Sequence, residues 1–134
     1  MSVDRASLAV STQQWPIVVL TYFGRPTNRQ LEDHLEDIER RVLSRCDRFV
    51  QIIDQRGGSM DPVQRSLIAS HQGRMKERYE KYCVGEVYVA SPETRGAMVA
   101  IFWMAPPPYP YAFVETYAEA LTWARARLDA KTGV

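Results

Sequence analysis

Catalytic and metal chemistry needs side chains in sets, and this 134-residue chain offers few candidate sets. Its two histidines stand apart. His34 lies beside the apolar stripe of a helical segment, with no His or Cys at ligand spacing, so it reads as a surface or packing histidine. His71 falls three residues after Ile68 and joins another stripe, as a histidine packed at the edge of the core with one nitrogen satisfied. Ser59, Ser66 and Ser70 precede it, but adjacent helical residues such as Ser70 and His71 face different sides and cannot act as nucleophile and base. Glu32, Asp33, Glu36, Asp37 and Glu39 alternate with Arg40 and Arg41 as a solvated helix face. Cys46 and Cys83 lack a CxxC partner or nearby histidine ligands and are expected to stay reduced. No catalytic residue, metal site or cofactor is expected.

The elements that would position these residues follow from periodicity. Residues 4–11 alternate weakly, as an edge strand does, with a turn at Gln13 and Gln14. Residues 15–23 are a continuous apolar run rich in β-branched side chains, a buried strand that tolerates Pro16 only at its start. Thr27 and Gln30 form a capping box, after which Leu31, Leu35, Ile38 and Val42 lay one stripe on the sheet. Residues 48–54 are a second buried strand, with Phe49, Val50, Ile52 and Ile53 inside. Asp61, Pro62 and Gln64 then supply a cap, a first-turn proline and a box partner for a helix running to about Tyr82. Residues 83–90 form a further strand, Ser91 and Pro92 open an apolar helix over 93–104, and residues 112–115 make a short edge strand. Thr116 and Glu119 cap a last helix with Tyr117, Leu121, Ala124 and Leu128 inward.

The order β-β-α-β-α-β-α-β-α predicts one α/β domain over 1–134: a mixed, mostly parallel sheet of four to five strands with about four helices, the first strand an antiparallel edge. A formal net charge of +1 lacks the basic excess of a nucleic-acid binder. The longest apolar run, residues 97–108, is too short to span a bilayer, and residues 1–6 do not open a secretory leader, so a cytoplasmic protein without membrane insertion is expected.

Two surfaces could bind something. In a parallel sheet the loops after Phe23, Asp54 and Ala90 share a pole, where Arg25, Arg29, Arg56 and Arg95 stand near helix N-termini and Gly57 and Gly58 would let backbone donors approach. That pole is a candidate site for an anion or small molecule. Solvated arginines partly paired with Asp54, Asp61 and Glu93 are the plainer reading. The glycine pair matches neither a P-loop nor a dinucleotide loop. The second surface is residues 102–111, where Trp103, Met104, Tyr109 and Tyr111 surround a proline run. It is either a partner interface or a stiff connection pinned onto the domain's own core.

The element order and the junction from Asp54 to Asp61 resemble the STAS family, the anti-sigma-factor antagonist fold, and more closely its uncharacterised bacterial SpoIIAA-like relatives. That resemblance implies a non-enzymatic regulatory or scaffolding module acting through a protein partner or a homodimer. Phosphorylatable members carry a Ser or Thr after the acid that opens the helix; here Asp61 is followed by Pro62, leaving Ser59 as a displaced phosphorylation candidate.

Overall fold

The computed structural model describes residues 6–58, 60–104 and 106–132. Five strands form one sheet in the order β1-β2-β3-β4-β5, with β1 (Ser7–Gln14) antiparallel to β2 (Ile17–Gly24). β3 (Phe49–Gly58), β4 (Cys83–Val89) and β5 (Tyr111–Val114) continue it in parallel. The helices are α1 (Asn28–Arg41), α2 (Pro62–Arg74), α3 (Lys76–Tyr82), α4 (Pro92–Met104) and α5 (Tyr117–Thr132). A mixed, mostly parallel α/β sheet with both edge strands where the alternation pattern puts them is therefore what the chain forms.

Three local features depart from the one-dimensional reading. The first hairpin turns at Trp15 and Pro16 rather than at the glutamines, so β1 extends through Gln14 and pairs it with Ile17. β3 does not stop at Asp54: Gly57 and Gly58 pair with Phe23 and Gly24 and are strand rather than loop. The side chain that Gly57 lacks is what makes room there, since a Cβ would lie 2.5 Å from the Phe23 ring. The long helix from Asp61 breaks at Met75, whose φ of −103° and ψ of 13° leave helical geometry, and α3 restarts to deliver the chain into β4.

The sheet's two faces are covered differently. α5 packs on one face, with Ala120 and Ala124 fully buried against Ile17, Val50, Ile52, Val84, Val87 and Val89. Two alanines one helical turn apart let the helix backbone approach the sheet closely, and the layer is entirely aliphatic at its centre. On the opposite face α1 contributes Leu31, Leu35, Ile38 and Val42. α2 buries only Gln64 and His71 completely. Polar bonds hold it: Asp61 and Gln64 form a reciprocal capping box, and Gln64 Nε2 donates to the Pro26 carbonyl at 2.6 Å.

One irregularity decides what this second face contains. Between Cys83 and Glu86, β4 advances three residues while β3 advances two, from Phe49 to Gln51. An uninterrupted strand would put residues an odd number apart on opposite faces; the bulge brings Cys83 and Glu86 to the same one. Val84 and Gly85 both turn to the α5 side, where a Cβ on Gly85 would meet the Trp123 ring at 2.7 Å and the Pro110 carbonyl oxygen at 3.2 Å.

Candidate functional site

Because β2, β3 and β4 each turn alternate side chains toward α1–α4, their polar members there form one floor. Leu20 and Tyr22, then Gln51, Ile53 and Gln55, then Glu86 and Tyr88 lie side by side beneath a cavity of about 710 Å³. Ile68 and His71 of α2, Tyr79 of α3, and Met98 and Phe102 of α4 wall it. The prolines at 106–108 and Tyr109 close one end. The proline segment is pinned to the sheet by the Glu86 N–H, which donates to the Pro110 carbonyl at 3.0 Å.

Glu86 is the centre of the floor and is 2% exposed. Gln51 Nε2 donates to one carboxylate oxygen and the Tyr88 hydroxyl to the other, each at 2.5 Å. Tyr109 lines the cavity beside it and also favours its anion. Burial pushes the carboxyl's pKa up, while Tyr88, Tyr109 and Gln51 pull it back in part. Burial also raises the hydroxyl pKa of Tyr22, Tyr79, Tyr88 and Tyr109, and the nearby Glu86 charge adds to the effect, so these hydroxyls remain protonated donors. Two acceptors on the same floor, Gln51 Oε1 and Gln55 Oε1, are buried without a protein donor.

A second polar chain runs from the surface into the cavity wall. Glu39 Oε2 lies 2.8 Å from His71 Nδ1 and accepts from Arg74 at 3.1 Å, and His71 Nε2 lies 2.7 Å from the Tyr79 hydroxyl. Both imidazole nitrogens are thus engaged, not one. Burial lowers the His71 pKa and the Glu39 carboxylate opposes that fall. Burial likewise raises Glu39, and the hydrogen bonds from His71 and Arg74 outweigh it, leaving its carboxyl below the ordinary value. His34 is buried rather than at the surface. It meets Tyr22 edge-on at 4.9 Å, its Nε2 has no partner, and burial pushes its pKa down to about 4.

The sequence-predicted sites fall elsewhere or in part here. Arg25, Arg29 and Arg95 are exposed near the carboxyl ends of the parallel strands, with Arg29 3.9 Å from Asp33. Arg56 lies in the last part of β3 beside Gly57 and Gly58, and Ser59 lies outside the described residues. Of the four aromatic-segment candidates, Trp103 and Met104 are 75% and 88% exposed and Tyr111 is marginally so. Tyr109 is buried rather than on a free surface: it is 9% exposed, turned inward into the core cluster and the cavity that holds Glu86. Glu86, Gln51 and Gln55 are missed by periodicity. The available signal is a lone acid in Cys-Val-Gly-Glu-Val-Tyr-Val and a lone amide in Phe-Val-Gln-Ile-Ile, polar residues inside strands too apolar to be solvated.

A solved structure matches this chain in fold, an uncharacterised protein of the DUF3478 family from Shewanella loihica PV-4, described as having a SpoIIAA-like fold. The two share 17% identity, with 92% of this chain and 98% of that one covered at a TM-score of 0.67. This chain has a SpoIIAA-like fold. No protein-family model matches it, and no curated protein does. Among the described residues of this SpoIIAA-like domain, no group of three or more His, Cys, Asp or Glu side chains could hold a metal ion. No described helix is long and apolar enough to cross a membrane.

Proposed function

We propose that this SpoIIAA-like domain is a non-enzymatic regulatory module whose signal is a small molecule held between the sheet and α2 and α4. The observation that carries this reading is the cavity of about 710 Å³ over a buried, hydrogen-bonded carboxylate, a volume suited to a metabolite-sized ligand and lined by apolar and aromatic groups with a few convergent polar atoms. Filling the space tests it. Met98→Trp should abolish a ligand-induced rise in melting temperature found by screening metabolites against the wild type. A screen in which filled and unfilled proteins respond alike would refute cavity binding.

A second reading, contact with a protein partner or a second copy, is favoured by the other side of α4. Met98 and Phe102 face the cavity, whereas Val99, Trp103 and Met104 on the same helix are exposed. Light scattering on the wild type and on Trp103→Ser with Met104→Ser should show association lost in the double variant; a strict monomer that captures no partner through this surface would remove the reading. The arginine pole of Arg25, Arg29, Arg56 and Arg95 stays a proposal for anions, tested by whether Arg56→Ala loses a phosphate- or nucleotide-induced thermal shift.

A further inference from the structure

The ligand reading can be taken to a chemical class. We infer that the cavity takes an organic cation, a primary or secondary ammonium on an apolar or aromatic body, with Glu86 as its counter-ion. This inference rests on the cavity being a ligand site, as proposed above.

The floor is rich in buried acceptors. Glu86 provides a carboxylate whose hydrogen-bond donors, Gln51 and Tyr88, are both neutral. Among the described residues, no lysine, arginine or histidine is among the groups acting on it. Burial raises the pKa of this carboxyl, and a cation bound beside it would favour the ionised form and balance a charge that the neutral donors only solvate. Beside it, Gln51 Oε1 and Gln55 Oε1 are buried acceptors without donors. Because Gln51 must present its NH2 to the carboxylate, its Oε1 is the atom left over, and Gln51 itself is 1% exposed. A ligand that satisfied this floor must bring N–H donors and positive charge. An anion would meet Glu86 directly, and an apolar molecule would leave the amide oxygens unpaired.

The surroundings suit the same class. Tyr22, Tyr79, Tyr88, Tyr109 and Phe102 place aromatic rings around the acid, and ring faces attract cations desolvated beside them. Leu20, Ile53 and Met98 supply the apolar contact for a hydrocarbon body. Among the described residues, the cationic side chains of Arg65 and Lys76 also border the cavity, but both are exposed. They would favour an acid only if its negative group stayed at the mouth.

Three probes of near-equal size separate these possibilities: phenethylammonium, phenethyl alcohol and phenylpropionate, titrated calorimetrically into the wild type, Glu86→Gln and Met98→Trp. The ammonium should bind about tenfold or more tighter than the alcohol, a difference typical of one charged, desolvated contact. The carboxylate should bind weakest. Glu86→Gln should bring ammonium and alcohol to similar affinity, and Met98→Trp should weaken all three. Equal binding of the three to the wild type, or tightest binding of the carboxylate, would overturn the cation assignment while leaving cavity binding intact, provided Met98→Trp still blocks it. No binding by any probe would count against both readings. The wild-type comparison needs no variant, so a Glu86→Gln protein that fails to fold leaves the inference testable.

Discussion

The two faces of this one sheet show different uses of the same strands. On the α5 side, Ala120 and Ala124 bring a helix onto valines and isoleucines, and burial serves stability alone. On the other side, the same strands present Gln51, Gln55, Glu86 and two tyrosines to a cavity, and α2 is held over it by hydrogen bonds as well as by the partly buried Leu67 and Ile68. The difference teaches where function can be accommodated: a close-packed face leaves no room for a ligand, and a face that retains volume and unpaired acceptors has given up packing that it could otherwise have had.

Added volume should expose the contrast most sharply. Ala124→Phe forces a ring into the closed α5 layer and should cost more than about 3 kcal/mol, read by chemical denaturation, enough to unfold a marginal domain. A cost below about 1 kcal/mol would mean that this face is not close-packed.

Acid should act next, and on the cavity face, because both histidines lie there. His34 titrates near 6.5 when unfolded and at about 4 when folded, so its contribution is fully present above pH 6.5 and is lost as pH falls toward 4. That difference corresponds to roughly 3 kcal/mol at most. The lowered His71 acts in the same direction below pH 6.5. Glu86, with a raised folded pKa, acts oppositely: it takes up its proton earlier in the folded state and offsets part of the loss. Hydrogen exchange should therefore show α1 and α2 opening before α5 as pH is lowered, and His34→Phe should flatten the acid limb. Uniform loss of protection across both faces would contradict the assignment.

Gly85→Ala tests the bulge that joins the faces. Its Cβ would press on Trp123 and the Pro110 carbonyl, for an expected cost of about 2 kcal/mol by thermal denaturation. The smallest effect is expected for Ile68→Phe, which adds a ring where the cavity has room and should change stability by less than about 1 kcal/mol. If it cost as much as Ala124→Phe, the cavity would not be the open face it is taken to be.

Much of the frame was legible in one dimension because capping boxes and hydrophobic periods are local. Thr27 with Gln30, Asp61 with Gln64, and Thr116 with Glu119 open three helices where the residue types say they should. The inward line of α5 was less legible. The predicted stripe of Tyr117, Leu121, Ala124 and Leu128 does pack on the sheet, but only Ala124 of it is fully buried, and the equally buried Ala120 lies outside it, both alanines chosen by how closely the backbone must approach. Periodicity predicts for His71 a packed histidine with one satisfied nitrogen; its second partner, Tyr79, is supplied only when α3 folds back across a break at Met75. The inward turn of Tyr109 could not be read from a proline-rich segment, since the cavity floor it faces, with Glu86, lies on strands distant in sequence.

From the sequence by itself came the alternation of strands and helices, the antiparallel first edge and the caps, all set by neighbours within a few residues. The acidic floor came only with tertiary structure. A bulge opposite Gln51 moves Glu86 to the cavity face, and parallel pairing sets Gln51 and Glu86 side by side although they are 35 residues apart. Side-chain period specifies which residues share a face only while the strand is regular, and the residue inserted in β4 is visible only against its partner strand.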